Sequence, residues 1–313
     1  MWLLWALRLG TMLVPLVPAR LGYWMCRGIG ISAYLAGFSA RRRVMWNLRQ
    51  GDPRASELQL HRAAIGVFTT VVTNYYDLIR MRSADRDEIL GLLDIHGVRH
   101  LETAVEAGRG VIVLSAHLGN FSVVARYPAL RGWPTAIIAE RIHPPALDAF
   151  MVRLRSADGL EIISQGPEAA RPILNVLHRK GVLILAADRD IAGNGHPVPF
   201  FGTPAHLPAG PVLLAMHTGA ALLPAFTIRR SSSRSDVYID RPIEIINTGD
   251  RDADLANNLR TMAATLERMI ATDPAQWAVL QTIWEPGGTP SGRQGTRLGG
   301  IPATLHRHLS RQA

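Results

Sequence analysis

A histidine stands at the end of an apolar, β-branched run in the segment VIVLSAHLGNFS, residues 111–122. Open α/β sheets hold their ligands beyond the carboxyl ends of the strands, so His117 is in a position to face one. Histidine is the side chain whose ordinary titration lies nearest neutral pH, which suits it to take up or give a proton there. Gly119 and Asn120 follow at the start of the next turn, where backbone N–H groups could stabilise a developing oxyanion. The chain has one cysteine, Cys26, and no Gly-x-Ser-x-Gly segment. The common signatures of a serine or cysteine nucleophile are therefore missing. The same count excludes a disulfide framework, a cysteine-based zinc cluster and an iron–sulfur site, and nothing in the sequence implies a metal or a cofactor.

Two further apolar runs end in acids. TAIIAE closes on Glu140, and GVLILAADRD closes on Asp188 and Asp190. Strands lying parallel to the one before His117 would bring these carboxylates to the same sheet edge, where any of them could orient an imidazole. Arg141 and Arg189 sit beside them, and the guanidinium fork is matched to phosphate. Arg153 and Arg155, on the next helix, could serve the same way or form a solvated helix face. The aromatic pair of Phe200-Phe201-Gly202 could line a groove for an acyl chain or plug the domain.

These residues need a scaffold of strand ends. The runs 110–116, 135–140, 160–164, 181–188 and 220–228 lack strict polar alternation, so each is expected to be buried on both faces. Helical stretches at 145–158, 167–180 and 208–219 alternate with them. A helix over 57–81 precedes the set; a strand over 236–245 and an acid-opened helix over 252–272 follow it. The fold class is α/β, with a mostly parallel central sheet flanked by helices over 51–285.

Residues 1–38 carry only Arg8, Arg20 and Arg27 as charges. These arginines, with Pro15 and Pro18, interrupt any run of about 20 apolar residues, so the segment reads as an interfacial anchor bearing Trp2, Trp5, Tyr23 and Trp24. Arg41 to Arg43, with Trp46 and Arg49, extend this membrane-associating region over 1–50. Residues 286–313 form a Gly-, Pro- and Arg-rich tail expected to be disordered. The formal charge is +9, from 34 Lys+Arg against 25 Asp+Glu, and mean hydropathy is +0.09. One of the 34 is a lysine, Lys180, which leaves 33 arginines. Such charge suits nucleic acid, a membrane surface or an anionic substrate. No nucleic-acid-binding motif accompanies it, so nucleic acid is the weakest of the three.

The segment His117-Leu118-Gly119-Asn120-Phe121 resembles the first motif of the bacterial lysophospholipid acyltransferase superfamily, in the branch of the late lipid A and phosphatidylinositol mannoside acyltransferases. The ADRD, VPFFG, Pro-x-Gly-Pro and TGA-x-x-x-P elements of 186–226 agree in order and spacing, as does the ending LERMIATDPAQWAVLQTIWEP of 266–286. The resemblance implies an O-acyltransferase that moves a fatty acyl group from acyl carrier protein or coenzyme A to a hydroxyl of a membrane glycolipid or phospholipid. It also implies a site at the cytoplasmic face of a bacterial inner membrane, with His117 as base and with Gly119, Asn120, Arg141, Arg189, Asp190, Phe200 and Phe201 binding substrate. The family's acid, five residues after the histidine, is Ser122 in this chain. Three readings follow: Ser122 is a weaker orienter, or Glu140, Asp188 or Asp190 replaces the acid, or the chain only binds lipid or acyl carrier. A hydrolase in which water replaces the acceptor is a further alternative.

Overall fold

A computed structural model describes residues 2–232 and 234–284. The basic tail anticipated at 286–313 lies outside the described residues. Helices α1 (Trp2–Leu13) and α2 (Ala19–Ala36) are separated where Pro15 and Pro18 deny the backbone its helical donors. They are followed by α3 (Phe38–Gly51) and the long α4 (Glu57–Arg80). Helix α4 opens on a reciprocal cap: the Gln59 N–H donates to Ser56 Oγ at 3.3 Å, and the Ser56 N–H donates to Gln59 Oε1 at 2.8 Å. Helix α2 lies close on α4 because Gly22 has no side chain; a Cβ there would stand 2.2 Å from the Tyr76 hydroxyl oxygen.

The sheet region runs α5 (Arg86–Gly91), β1 (Leu93–His96), α6 (Val98–Glu106), β2 (Val111–Ser115), α7 (Phe121–Val124), α8 (Tyr127–Leu130), β3 (Thr135–Ala139), α9 (Pro145–Arg155) and β4 (Glu161–Ser164). It continues through α10 (Ala170–His178), β5 (Val182–Ala186), the hairpin β6 (His196–Phe200) and β7 (Thr203–Leu207), α11 (Gly210–Thr218), β8 (Ala221–Ser231), β9 (Arg234–Ile239) and α12 (Arg251–Thr272). Seven strands form one sheet in the order β1-β9-β8-β2-β5-β3-β4, and only the β8–β9 pair is antiparallel. The expected mostly parallel, helix-flanked sheet is what forms. Strand β2 is central and buried on both faces. Ile112 and Leu114 join the core with α10, α11 and α12, while Val111 and Val113 face Leu101 of α6 and Tyr127 of α8.

Two expectations need correction. The strand anticipated at 236–245 begins at Arg234 and stops at Ile239, since Pro242 cannot donate to a ladder. The 196–207 stretch is a hairpin, and β1, α5 and α6 were not anticipated. No helix of the described residues is long and apolar enough to cross a membrane. Within the N-terminal pair, Gly22, Cys26, Gly30 and Tyr34 of α2 are buried, whereas Trp5, Leu9, Met12, Leu16, Trp24 and Ile29 point outward. The basic run is divided: Arg43 donates to the Leu280 carbonyl at 3.0 Å and Arg41 lies over the rings of Tyr34 and Phe38, which leaves Arg42 exposed.

Candidate active site

Strands β2 and β5 are paired neighbours whose register sets Ser115 opposite Ala186. Two residues beyond each end, at the same level, stand His117 and Asp188. Asp188 Oδ1 lies 2.7 Å from His117 Nδ1. Its other oxygen, Oδ2, accepts the His117 backbone N–H at 3.1 Å and the indole N–H of Trp277 at 2.7 Å. Asp188 is fully buried. Burial alone would raise its pKa, but the charge and hydrogen bonds of His117, with the Trp277 indole, outweigh it and hold the carboxyl at about 2, below the ordinary 3.8. An ionised carboxylate only accepts hydrogen bonds, so Nδ1 carries the imidazole proton and Nε2 presents its lone pair.

The loop carrying His117 is clamped from the C-terminal side of the domain. The His117 carbonyl accepts the Ala278 N–H at 2.8 Å, and the Gly119 N–H donates to the Gln276 carbonyl at 3.2 Å. Gly119 has φ +56, and a Cβ there would stand 2.3 Å from the Thr227 carbonyl oxygen, so only glycine fits. Gln276 is itself fixed: its Oε1 accepts the Arg229 N–H at 2.8 Å and its Nε2 donates to the Arg229 carbonyl at 3.0 Å.

Several anticipated roles are displaced. Ser122 lines the cavity from the first turn of α7, but Nδ1 is taken by Asp188. The Gly119 N–H is spent on Gln276 and is not free for an oxyanion. Asn120 is buried outside the cavity at the N-cap of α7. Glu140, at the end of β3, pairs with Arg189 at 3.2 Å and not with the imidazole. Asp190 lies at the cavity edge, its carboxylate accepting the N–H groups of Gly193, Asn194 and Gly195. Arg141 pairs with Glu168 outside the cavity. Phe200 is fully buried and stacked on Trp284, with Phe201 edge-on to it; they pack the hairpin on the core and do not line this cavity.

Arg189 remains where it was anticipated: Nη2 stands 3.5 Å from His117 Nε2, and its Nε is buried without a partner. Of the two helix arginines it is Arg155 that reaches the site, and the role of Trp277 was not anticipated. Arg155 lines the cavity from the end of α9, and its guanidinium has no hydrogen-bond or ion-pair partner among the described residues. Burial lowers its pKa, against the opposing pull of Tyr75, Asp148 and Glu140, and Arg189 adds to the lowering. Arg189 stands beside the imidazole, and Arg155 lines the same largely apolar cavity of about 740 Å³. Such an arrangement can take a proton at Nε2, hold an anion beside it and shelter a long apolar chain.

Comparison with known sequences gives this geometry a lineage. A phosphatidylinositol mannoside acyltransferase of Mycolicibacterium smegmatis is 30% identical over 213 residues, 66% of this chain and 67% of that protein. One of Mycobacterium tuberculosis is 31% identical over 215 residues, 66% of each chain. The matched stretch thus spans about two thirds of each relative's length. The sequence profile of the bacterial lipid A biosynthesis acyltransferases matches residues 1–285, from the N-terminal helices through the Gln276-Trp277 clamp. A family match over nearly the whole described chain, with relatives at about 30% identity, places it plainly: the chain belongs to the bacterial lipid A biosynthesis acyltransferase family.

Proposed function

We propose that this chain moves a fatty acyl group from a thioester, on acyl carrier protein or coenzyme A, to a hydroxyl of a membrane glycolipid, with His117 as general base. The observation that carries the reading is the His117–Asp188 pair, with His117 lining the apolar cavity. The acceptor hydroxyl donates to Nε2, and its oxygen attacks the thioester carbonyl as the proton passes to the ring. Asp188 stabilises the resulting imidazolium. The C–O bond forms, the carbonyl becomes an oxyanion beside Arg189, and its collapse breaks the C–S bond; the leaving thiolate takes the proton back from Nε2. Arg155 and the unpartnered Nε of Arg189 suit a phosphate of donor or acceptor. Asp188 supplies the acid missing at position 122, which favours an active enzyme over a degenerate binding protein.

The outward apolar residues of α1 and α2 have the composition of an interfacial membrane contact, and Arg8, Arg20, Arg27 and Arg42 are exposed charges on or beside them. Together with the family's lipid substrates, this contact supports the reading of an enzyme working at the cytoplasmic face of a bacterial inner membrane. The test is release of free thiol from acyl-CoA and from acyl carrier protein, with and without a membrane-lipid extract. Release that requires lipid supports transfer. Equal release without lipid would make the protein a hydrolase, and no release from either donor would leave only binding.

A further inference from the structure

Strand β8 flanks β2 on the side away from β5 and Asp188. Leu114 stands opposite Pro224, so three residues further along each chain His117 comes level with Thr227. The close approach of Gly119 to the Thr227 carbonyl keeps the histidine loop against β8 at this level. Side chains alternate between the two faces of a strand, which puts Thr227 on the same face as Arg229, and α4 covers that face. Arg229 pairs with the fully buried Asp77 of α4 at 2.5 Å, and its Nη2 donates to Asn74 Oδ1 at 3.2 Å. The Tyr23 hydroxyl of α2 donates to the other Asp77 oxygen at 2.6 Å.

A guanidinium can only donate, so the Asn74 atom that it meets is the oxygen, and the amide nitrogen is left for another partner. Asn74 Nδ2 is buried with no hydrogen-bond partner among the described residues, and the same holds for Thr227 Oγ1. Both residues line the cavity that His117 lines, at 6% and 2% exposure. Native proteins leave few buried polar atoms unpaired, because the penalty of removing them from water is then uncompensated. We infer that Asn74 and Thr227 form a polar subsite for an oxygen of the acceptor's sugar or polyol head group, beside the hydroxyl that reacts at His117. Nδ2 can only donate, so the ligand it shares with Thr227 must offer oxygen lone pairs. The hydrocarbon of an acyl chain offers none. The thioester carbonyl belongs to the other flank, where Arg189 Nη2 lies 3.5 Å from His117 Nε2. A head group with several hydroxyls can put one oxygen at Nε2 and a neighbouring one at the β8 wall. Tyr23, Asp77 and Arg229 do not line the cavity; they are positioning residues that orient the Asn74 amide.

This assignment rests on the acyl-transfer reading and deepens it. Its test uses the full chain, with palmitoyl-CoA or palmitoyl-acyl carrier protein as donor and a detergent-dispersed membrane-lipid extract as acceptor. Each variant is also unfolded in urea without substrates. Thr227→Val removes the hydroxyl and keeps the branched shape, and Asn74→Asp keeps an oxygen for Arg229 while replacing the Nδ2 donor. Each is expected to raise the acceptor KM about tenfold, the scale of one hydrogen bond, and to leave the donor KM unchanged. Thr227→Val is expected to be at least as stable as the wild type, because the hydroxyl it removes has no partner to lose. Thr227→Ser restores the hydroxyl and should bring the acceptor KM back to within about threefold of the wild type. An unchanged acceptor KM in Thr227→Val would leave the hydroxyl to an internal water and overturn the subsite. A rise in donor KM in place of acceptor KM would give the two groups to the thioester and overturn it as well. Absence of lipid-dependent thiol release by the wild type from either donor would overturn the acyl-transfer reading itself.

Discussion

At the scale of single residues, the site rests on one buried carboxylate. Asp188 has a folded-state pKa of about 2 against an ordinary 3.8. A depressed carboxylate contributes stability that is fully present above its unfolded pKa and is lost as pH falls through the folded one. Denaturation of the wild type should therefore show a loss on the order of 2 kcal/mol between about pH 4 and pH 2 that Asp188→Asn does not show. Equal acid sensitivity in both proteins would remove the ionised pair. Position 122 gives a second expectation: Ser122→Asp should not raise the rate, because Nδ1 already has its acceptor, whereas a gain would make Ser122 the ring's partner. His117 was legible from its place after a buried strand, and Asp188 as one of three acids at the same edge. Choosing among the three needed the β2–β5 register, which sequence alone does not give. Arg155 was legible only as one of two readings: a long side chain at a helix end can turn toward solvent or fold back, and spacing does not say which.

At the scale of elements, the histidine is held from both sides, by the end of β5 and by the turn that follows α12. Trp277 belongs to that turn and gives its indole N–H to Asp188. Trp277→Phe keeps the ring and removes the donor, leaving a buried carboxylate oxygen short of a partner at about 1–3 kcal/mol. The variant should lose that much stability, read by urea denaturation, and should also lose activity as the carboxylate reorients; unchanged stability would mean that the indole N–H contributes nothing. The strands from β2 to β5 were readable because a short, continuous β-branched run between helical stretches packs best as a strand covered on both faces. Helices α5 and α6 and strand β1 are short, and β1 is half exposed at the sheet edge, so their patterns are weak. The β6–β7 hairpin was hidden by three prolines, Pro197, Pro199 and Pro204, which depress strand propensity but are tolerated in an isolated two-stranded ribbon.

At the scale of the whole molecule, the N-terminal helices join the catalytic domain to an apolar outer face. Most of the strongly exposed large apolar residues lie between Trp5 and Phe38, with Leu16 at 78% and Trp24 at 73%. Burial of such a side chain is worth about 1.5–3 kcal/mol, so replacing Trp5, Leu16 and Trp24 together by serine should weaken binding to anionic vesicles at least about a hundredfold in co-sedimentation. Turnover of a soluble short-chain acceptor should change little, since none of the three lines the cavity. Undiminished vesicle binding would move the membrane contact elsewhere. Composition announced this region, but its two-sidedness was not readable, because the buried stripe of Gly22, Cys26 and Gly30 is small rather than conspicuously apolar.

The central claim is that His117 works with Asp188 and not with the residue five positions along the chain. The direct measurement is kcat/KM for acyl transfer by Asp188→Asn and Ser122→Ala, beside His117→Ala as the reference for a site without its base. The account predicts a loss of about 10² to 10⁴ for both His117→Ala and Asp188→Asn, and a change within about threefold for Ser122→Ala. A near-normal Asp188→Asn together with a crippled Ser122→Ala would contradict it.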